Sequence, residues 1–293
     1  MSEPFAYLEI VEERLLDHSV NVGITVHEDF LKRGFDKYIA RIMFNVLKVD
    51  ENLDLIIKAT HDSILISSAF HDLGKAWKHY QENLKKSSEG NKYISFKGHE
   101  GISALLVYPF MEKFILKVLG DDSSSSDTLL RATVRAVMMH HHTMIGRKAE
   151  AKDSIVKFIK DLKGKSLEDA LVSWPEIVYE IMSKLQGLLN LKNDVEESLN
   201  EAYGMSSELT RNILKIRQRL DMTLLRRASN VISEGISNMI LYALITADNM
   251  VAIRARGGSP RWAWEKRKNV VESVRKYSKV LFEVLSYDHG VRL

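Results

Sequence analysis

The chain has 293 residues, of which 45% are hydrophobic and 28% are charged, and its net charge is +3. It contains no cysteine, which excludes disulfides and thiolate metal sites. No uncharged apolar run approaches the roughly 20 residues of a membrane span, and the first residues lack the basic and then apolar pattern of a signal peptide. We therefore expect a globular cytosolic protein without a membrane partner.

The charge is unevenly distributed along the chain. Of the 42 Lys and Arg residues, 16 lie from Met205 onward, against 8 of the 39 Asp and Glu residues. A basic C-terminal third suits a surface that binds phosphates. A solvated helix face would show the same excess, so the charge alone leaves both interpretations open.

Helical periodicity dominates the first part of the chain. The first predicted helix has a stripe that advances by three and four residues, made of Leu8, Val11, Leu15, His18 and Val22. Residues Leu53–Tyr80 are predicted to form one long helix or two short ones. Lys85–Gly98 is polar and is predicted to be a surface loop.

Proline and N-cap patterns set the predicted limits of the next helices. Gly101–Tyr108 is predicted as a short apolar helix that Pro109 ends. A serine-rich loop follows, and Asp127 is predicted to N-cap a helix that runs to about His142.

The remaining helices complete an all-α chain. Lys148–Asp169 is predicted to be partly helical, Glu176–Asn190 to form an added helix, and Gly235–Arg256 to form a helix closed by a glycine pair. We predict one domain over residues 1–293, with a helical lobe inserted or appended near residues 148–210.

Two polar residues fall where the periodicity predicts apolar ones, and a buried polar group needs a partner. His18 lies on the stripe of the first helix, where a hydrogen-bonded core histidine is the ordinary alternative to a ligand. Asp248 lies on the apolar stripe of the last predicted helix. Its partner could be a bound cation or a buried Arg or Lys.

The segment Phe70–Lys75 contains the strongest indication of a functional site in the sequence. Adjacent residues on a helix point about 100° apart, so His71 and Asp72 can reach one cavity. Lys75 lies three residues after Asp72, on the same face. An imidazole nitrogen beside a carboxylate oxygen suits a divalent ion.

Further histidines add possible ligands. His99 opens a helix, although by itself a surface histidine is the simpler interpretation. His140 and His141 continue the apolar stripe of their helix, whereas His142 falls off that face. A surface metal-scavenging tract is the alternative, but the apolar residues before it favour a buried pair. The other histidines lie in polar surroundings and are assigned no role: His27, His61, His79 and His289.

In this order, the residues resemble the HD metal-dependent phosphohydrolase superfamily. They are most similar to the HD nuclease of type I CRISPR interference systems, in the stand-alone form that lacks a fused helicase. The matching positions are His18, His71, Asp72, Lys75, His99, His140, His141 and Asp248. The third histidine leaves the register of the His140–His141 pair open by one residue.

The resemblance implies an all-α HD bundle with two divalent ions that Asp72 bridges. It assigns His18, His71 and Asp248 to one ion, and His99, His140 and His141 to the other. Lys75 would contact the scissile phosphate or orient the attacking water. The mixed imidazole and carboxylate ligands suit Mn, Fe, Co or Ni, with Mg less natural at so many nitrogens.

The implied reaction is cleavage of single-stranded DNA, with RNA as a further substrate. Arg254 and Arg256 lie about two turns past Asp248 and are expected to border the site. Trp262 and Trp264 lie among basic residues, a pattern typical of binding to single strands. Core packing of either tryptophan is the alternative.

Partners follow from the resemblance alone. Gly164–Ser166 is similar to the end of a phosphate-binding loop, but position 159 is Ile where that motif needs Gly. The chain therefore lacks a complete phosphate-binding loop and is not expected to unwind a duplex by itself. The resemblance implies that a separate helicase subunit and an RNA-guided surveillance complex deliver the strand. Two other functions stay open: an HD nucleotide phosphohydrolase that acts on a small phosphate ester, and a non-catalytic HD scaffold in a nucleic-acid complex.

Overall fold

The computed structural model describes residues 5–8, 12–88, 96–121, 123–141, 147–204, 206–225 and 231–255. Within these ranges the chain is almost entirely helical, with one antiparallel pair of strands, so the all-α prediction is confirmed. In chain order the elements are β1 (Phe5–Leu8), β2 (Glu12–Arg14), α1 (Leu15–Asp29), α2 (Phe35–Leu47), α3 (Leu53–Ala69), α4 (Lys78–Ser88), α5 (His99–Leu119), α6 (Ser124–Met139), α7 (Arg147–Asp161), α8 (Leu167–Ala170), α9 (Glu176–Leu185), α10 (Lys192–Tyr203), α11 (Ser206–Leu225) and α12 (Val231–Ala255). Short 3-10 helices cover Leu31–Arg33, Leu73–Ala76 and Gln186–Leu188.

Helix α5 is the centre of the fold. Most of its residues are buried, and it packs against α3, α6, α7 and α10. Helix α6 lies between α5 and α12, and α1 packs against α3, α9 and α12. One end of this bundle therefore brings together α1, the end of α3, the start of α5, the end of α6, and α12.

Helix α12 is long and apolar enough to cross a membrane by length and composition alone. Core helices of folded proteins share those properties, and half of its most apolar stretch is buried inside the protein. Ile236, Ile240 and Leu244 are almost fully buried where α12 packs on α1 and α6. In this structure α12 is a core helix.

The predicted start of the first helix is wrong. Leu8 lies in β1, paired with Glu12, and α1 begins at Leu15. The segment Phe5–Leu8 has the aromatic and apolar composition that favours a strand, and pairing with β2 satisfies backbone groups that a helix would otherwise bond. Val11, which was placed on the same stripe, lies outside the described residues.

The predicted stop at Pro109 is also wrong, because α5 continues to Leu119. A proline inside a helix costs about 3 kcal/mol. Burying one large apolar side chain stabilises the fold by about 1.5–3 kcal/mol. Phe110, Met111 and Phe114 follow the proline and are fully buried, so their burial outweighs its cost.

The start and end of α6 differ from the prediction. Ser123, not Asp127, is the N-cap, because its Oγ accepts hydrogen bonds from the backbone N–H groups of Ser125 and Ser126. Asp127 lies in the first turn and accepts a hydrogen bond from Arg131. The helix ends at Met139, so the histidines follow it instead of lying within it.

Other predicted elements are confirmed with shifted limits. Leu53–Tyr80 divides into α3, a 3-10 helix and the start of α4, and α4 extends to Ser88, into the predicted loop. Helices α7 and α8 account for the partly helical segment Lys148–Asp169, and α9 and α12 match the other two helices. The predicted lobe near residues 148–210 covers α7 to α10 and the start of α11, and its standing as a separate unit stays a prediction.

Candidate metal centre

The structure brings all seven predicted ligand residues to the same end of the bundle. His18 comes from α1, His71 and Asp72 from the turn after α3, His99 from the first position of α5, His140 and His141 from the turn after α6, and Asp248 from α12. The helical placement predicted for the His71–Asp72 pair is wrong, because α3 ends at Ala69.

Asp72 lies at the centre of this cluster and is fully buried. Its Oδ1 is 2.8 Å from His99 Nε2 and 3.5 Å from His140 Nε2. Its Oδ2 is 3.3 Å from both His18 Nε2 and His71 Nε2. Each carboxylate oxygen therefore faces a different pair of imidazoles.

The cluster forms two groups that share Asp72, and within each group one possible ligand atom per residue lies within 4.8 Å of the others. The groups are Asp72, His99, His140 and His141, and His18, His71, Asp72 and Asp248. Asp248 Oδ1 lies 3.1 Å from His18 Nε2 and 3.7 Å from His71 Nε2. Imidazole nitrogens and carboxylate oxygens in this arrangement suit a divalent transition metal.

Hydrogen bonds at Nδ1 orient three of the histidines. Each ring nitrogen contacts the backbone carbonyl three residues earlier: His71 and Ser68 at 2.7 Å, His99 and Phe96 at 2.6 Å, and His140 and Val137 at 2.6 Å. Ser68 and Val137 lie in the last turns of α3 and α6, where carbonyls lack helical partners. Nδ1 is thus the donor, and Nε2 points toward Asp72, as in metal sites.

Buried ring nitrogens support the fit to a metal. The Nε2 atoms of His18, His71 and His140 are buried and make no hydrogen bond within the described part of the chain. A buried polar atom without a partner destabilises a fold by about 1–3 kcal/mol. A metal ion at each group would remove that penalty.

His18 is oriented by a carboxylate instead of a carbonyl. Its Nδ1 lies 2.9 Å from Oε1 of Glu13, which is on β2 and largely buried. The sequence did not single out Glu13, because periodicity placed this segment in a helix. A strand that turns back onto α1 brings it to the histidine, and no local pattern signals that contact.

The charges in the cluster hold its two carboxylates ionised. Burial alone would raise the pKa of Asp72, but the positive charges of His71 and Lys75 hold it well below its usual range. Burial likewise opposes ionisation of Asp248, and the close approach of the His18 and His71 imidazoles lowers its pKa well below the usual value.

The histidines of the two groups differ in their pKa values and so in their protonation states. Burial would lower the pKa of His71, but the Asp72 charge and the close approach of both carboxylates to its Nε2 raise it to about 9. The same competition leaves the pKa of His18 well above its ordinary value. Burial dominates at His140 and His141 and lowers both pKa values. In the metal-free protein, one group therefore contains charged imidazoles and the other contains neutral ones.

Lys75 lies where the sequence placed it, beside Asp72. Its Nζ is 2.6 Å from Asp72 Oδ2 and lies above the ring of Phe96. The 3-10 helix after the His71–Asp72 turn carries it, and Gln81 donates a hydrogen bond to its carbonyl.

Gly74 allows this turn to approach α5 closely. Its N–H donates to Ser103 Oγ at 2.8 Å, and an added Cβ would lie 2.3 Å from the His99 carbonyl oxygen.

The structure corrects the expectation for His61. It is buried on α3, and its Nδ1 contacts Asp62 Oδ1 at 2.9 Å. Asp62 is fully buried and accepts backbone hydrogen bonds from Asn190 and Leu191. Polar neighbours in sequence suggested exposure, whereas burial follows from packing against the segment before α10. His79 is exposed, as expected.

Arg254 is exposed in the last turn of α12. Four predicted residues lie outside the described ranges: His142, Arg256, Trp262 and Trp264. His289 and the glycine pair after Arg256 lie there as well.

No family model matches the chain. Among curated proteins, it is similar to the CRISPR-associated endonuclease Cas3-HD of Methanocaldococcus jannaschii, with 27% identity over 212 residues. The match covers 70% of this chain and 69% of that protein. Together with the two ligand groups, this similarity supports a relationship to HD-domain nucleases and a metal-dependent hydrolase.

Proposed function

We propose that the chain is a metal-dependent phosphodiesterase that cleaves single-stranded DNA, and RNA as a further substrate, in CRISPR interference. The observation that carries this proposal is the pair of ligand groups that share the buried carboxylate of Asp72. The similarity to a CRISPR-associated endonuclease supports a nucleic acid as the substrate.

His18, His71 and Asp248 would hold one divalent ion and His99, His140 and His141 would hold another, with Asp72 contributing to both groups. Mn, Fe, Co or Ni suits these ligands better than Mg. Two such ions supply an activated water and stabilise charge on the attacking and leaving oxygens of a phosphodiester. The buried histidines hold this position by their Nδ1 hydrogen bonds.

Lys75 provides a positive charge beside the carboxylate that the two ligand groups share. Its Nζ contacts Asp72 Oδ2 before substrate binds. With metal bound at both groups, Lys75 would contact the scissile phosphate or hold the attacking water. Its four-carbon stem and three donors suit either role.

The strand would run across the end of the bundle, past α12. Arg254 is exposed there, and Arg256, Trp262 and Trp264 follow it in sequence. Cations for phosphates and indole rings for base stacking bind single strands without sequence preference. We propose that a helicase subunit and an RNA-guided surveillance complex deliver the strand in the cytoplasm.

The test is cleavage of end-labelled single-stranded DNA after chelation and return of Mn, Ni or Mg. The wild type should cleave it, and Asp72→Ala should lose cleavage and bound metal while keeping its helical content. Asp54→Ala, which removes an exposed carboxylate on α3, is the matched control and should stay active.

Three outcomes would contradict the proposal. Turnover of free nucleotides without cleavage of the polymer would identify a nucleotide phosphohydrolase. Full cleavage by Asp72→Ala would show that the shared carboxylate is not part of the active site. Failure of the wild type to bind any metal would favour the scaffold function.

A further inference from the structure

An open groove of about 560 Å³ lies between the end of α7 and the start of α11. One wall is the last turn of α7 together with the loop that leads to α8, and the other wall is α11. None of the seven metal-centre residues lines it. The groove is therefore a surface separate from the cluster around Asp72.

The charges around the groove all have the same sign. Among the described residues that line it, four are cationic and none is acidic: Lys160, Lys163, Lys165 and Arg211. All four are exposed. Lys160 and Lys163 form no ion pair with any residue in the described ranges. The rim therefore favours an anionic occupant.

The floor of the groove is aliphatic. Ile159, Leu162 and Ile213 line it, and the first of these is partly buried while the other two are buried. Leu214 stands beside them with 58% of its surface exposed, the largest exposure of any big apolar side chain in the described part of the chain. Contiguous apolar surface with a polar rim is typical of an interaction site, and here it includes one strongly exposed leucine.

We propose that this groove binds an acidic, amphipathic segment of a partner protein. Aliphatic side chains of the segment would cover Leu214 and its neighbours, and its carboxylates would reach the lysines of the rim, as when an amphipathic helix docks in a groove. A single nucleic-acid strand fits less well, because such grooves combine cations with aromatic rings and no described residue in the lining is aromatic.

Two hydrogen bonds through Asp161 connect the groove to the turn that carries Lys75. Lys165 donates to Asp161 Oδ1 at 2.7 Å, and the other oxygen of Asp161 accepts a hydrogen bond from Trp77 Nε1 at 3.0 Å. Trp77 follows the 3-10 helix that contains Lys75. This link connects the groove to the 3-10 helix that carries Lys75, and binding of the partner does not depend on nuclease activity.

The experiment uses the full-length protein and a fluorescein-labelled peptide of about five helical turns, with Leu on one face and Glu on the other. Fluorescence anisotropy should show saturable binding to the wild type. Lys163→Glu and Leu214→Glu should each weaken binding by at least about tenfold. Lys157→Glu makes the same charge change at an exposed position of α7 outside the groove and should leave binding unchanged.

Location and specificity are checked with two further measurements. Hydrogen exchange of the backbone amides at 210–214 should slow when the peptide binds. A peptide with Lys in place of every Glu should not bind. Lys163 and Leu214 are both exposed, so their variants should keep the fold. Retained metal binding by these variants would show that only the groove surface has changed.

The proposal is wrong if the wild type shows no saturable binding, or if Lys157→Glu weakens binding as much as Lys163→Glu. It is also wrong if the two groove variants leave the peptide affinity intact and reduce the affinity for a single-stranded oligonucleotide. That last result would assign the groove to nucleic acid.

Discussion

The two ligand groups differ in how many protons they carry before a metal binds. The raised pKa values of His18 and His71, about 9 for His71, mean that a metal must displace protons from that group at neutral pH. The lowered pKa values of His140 and His141 leave these two imidazoles without bound protons at neutral pH. We therefore expect a pH-sensitive binding step at the group of His18 and His71, whose affinity rises with pH up to about 9, and a step at the other group that releases no protons from His140 and His141.

Calorimetric titration with Mn in buffers of different ionisation enthalpy measures both steps and the protons released. His71→Asn should remove the pH-sensitive step and keep the other. Equal proton release in the two steps would contradict the assignment.

Glu13 gives His18 a stronger hydrogen-bond acceptor than a carbonyl. Substituting Glu13→Gln keeps the shape and removes the charge, so the imidazole becomes a poorer ligand. Changes of this kind reduce metal affinity by about 10–100-fold. Metal content after dialysis against graded chelator measures the effect. Glu28→Gln, at an exposed carboxylate of α1, should bind like the wild type.

At the scale of elements, the close approach of the Gly74 turn to α5 sets the position of His99. Gly74→Ala would place a Cβ 2.3 Å from the His99 carbonyl and 2.9 Å from the Ser103 nitrogen. We expect a loss of about 1–3 kcal/mol in the free energy of unfolding, with weaker metal binding because His99 is displaced.

Urea unfolding of the metal-free protein and a metal titration measure the two effects of Gly74→Ala. Gly187→Ala is the control, because an added Cβ there meets no atom within 4 Å. Its free energy of unfolding should change by less than about 1 kcal/mol. Equal losses in both variants would show that Gly74 has no special role.

The sequence predicts most of the helices, whereas the residues at which several of them begin or end depend on contacts between residues distant in sequence. Hydrophobic periodicity predicts helices over most of the chain. The helix across Pro109 and the strand at Leu8 depend on burial in the core and on pairing with β2. Ser123 and Asp127 are both good N-caps, and only the backbone geometry decides between them.

At the scale of the whole molecule, Asp62 links the α1–α3 part of the core to the segment before α10. It accepts backbone hydrogen bonds from Asn190 at 3.0 Å and Leu191 at 2.7 Å, and it contacts His61. Asp62→Asn replaces one acceptor oxygen with a donor, so at least one of the hydrogen bonds that the carboxylate accepts is lost. We expect a loss of about 1–3 kcal/mol in the free energy of unfolding.

Urea denaturation monitored by circular dichroism measures the change. Asp54→Asn is the matched control at an exposed position of the same helix and should stay within about 0.5 kcal/mol of the wild type. An Asp62 variant as stable as the wild type would show that this connection is not needed for the fold.

The candidate site itself could be predicted from the sequence more fully than the fold. His18 and Asp248 stood out as polar residues on apolar stripes, and the His71–Asp72 pair as a cluster. The resemblance added their order and grouping, which the distances around Asp72 match. Glu13 and the carbonyls of Ser68 and Val137 could not be predicted, because their roles arise from tertiary contacts and helix ends.

Asp248 is the last of the clustered residues to be synthesised, and His141 precedes it by the whole of α7 to α11. The group of His99, His140 and His141 around Asp72 draws all of its residues from the part of the chain before α7. The other group has only the shared carboxylate of Asp72 until α12 packs against α1 and α6 and brings Asp248. The two groups therefore differ in how much of the chain must be in place before each is complete.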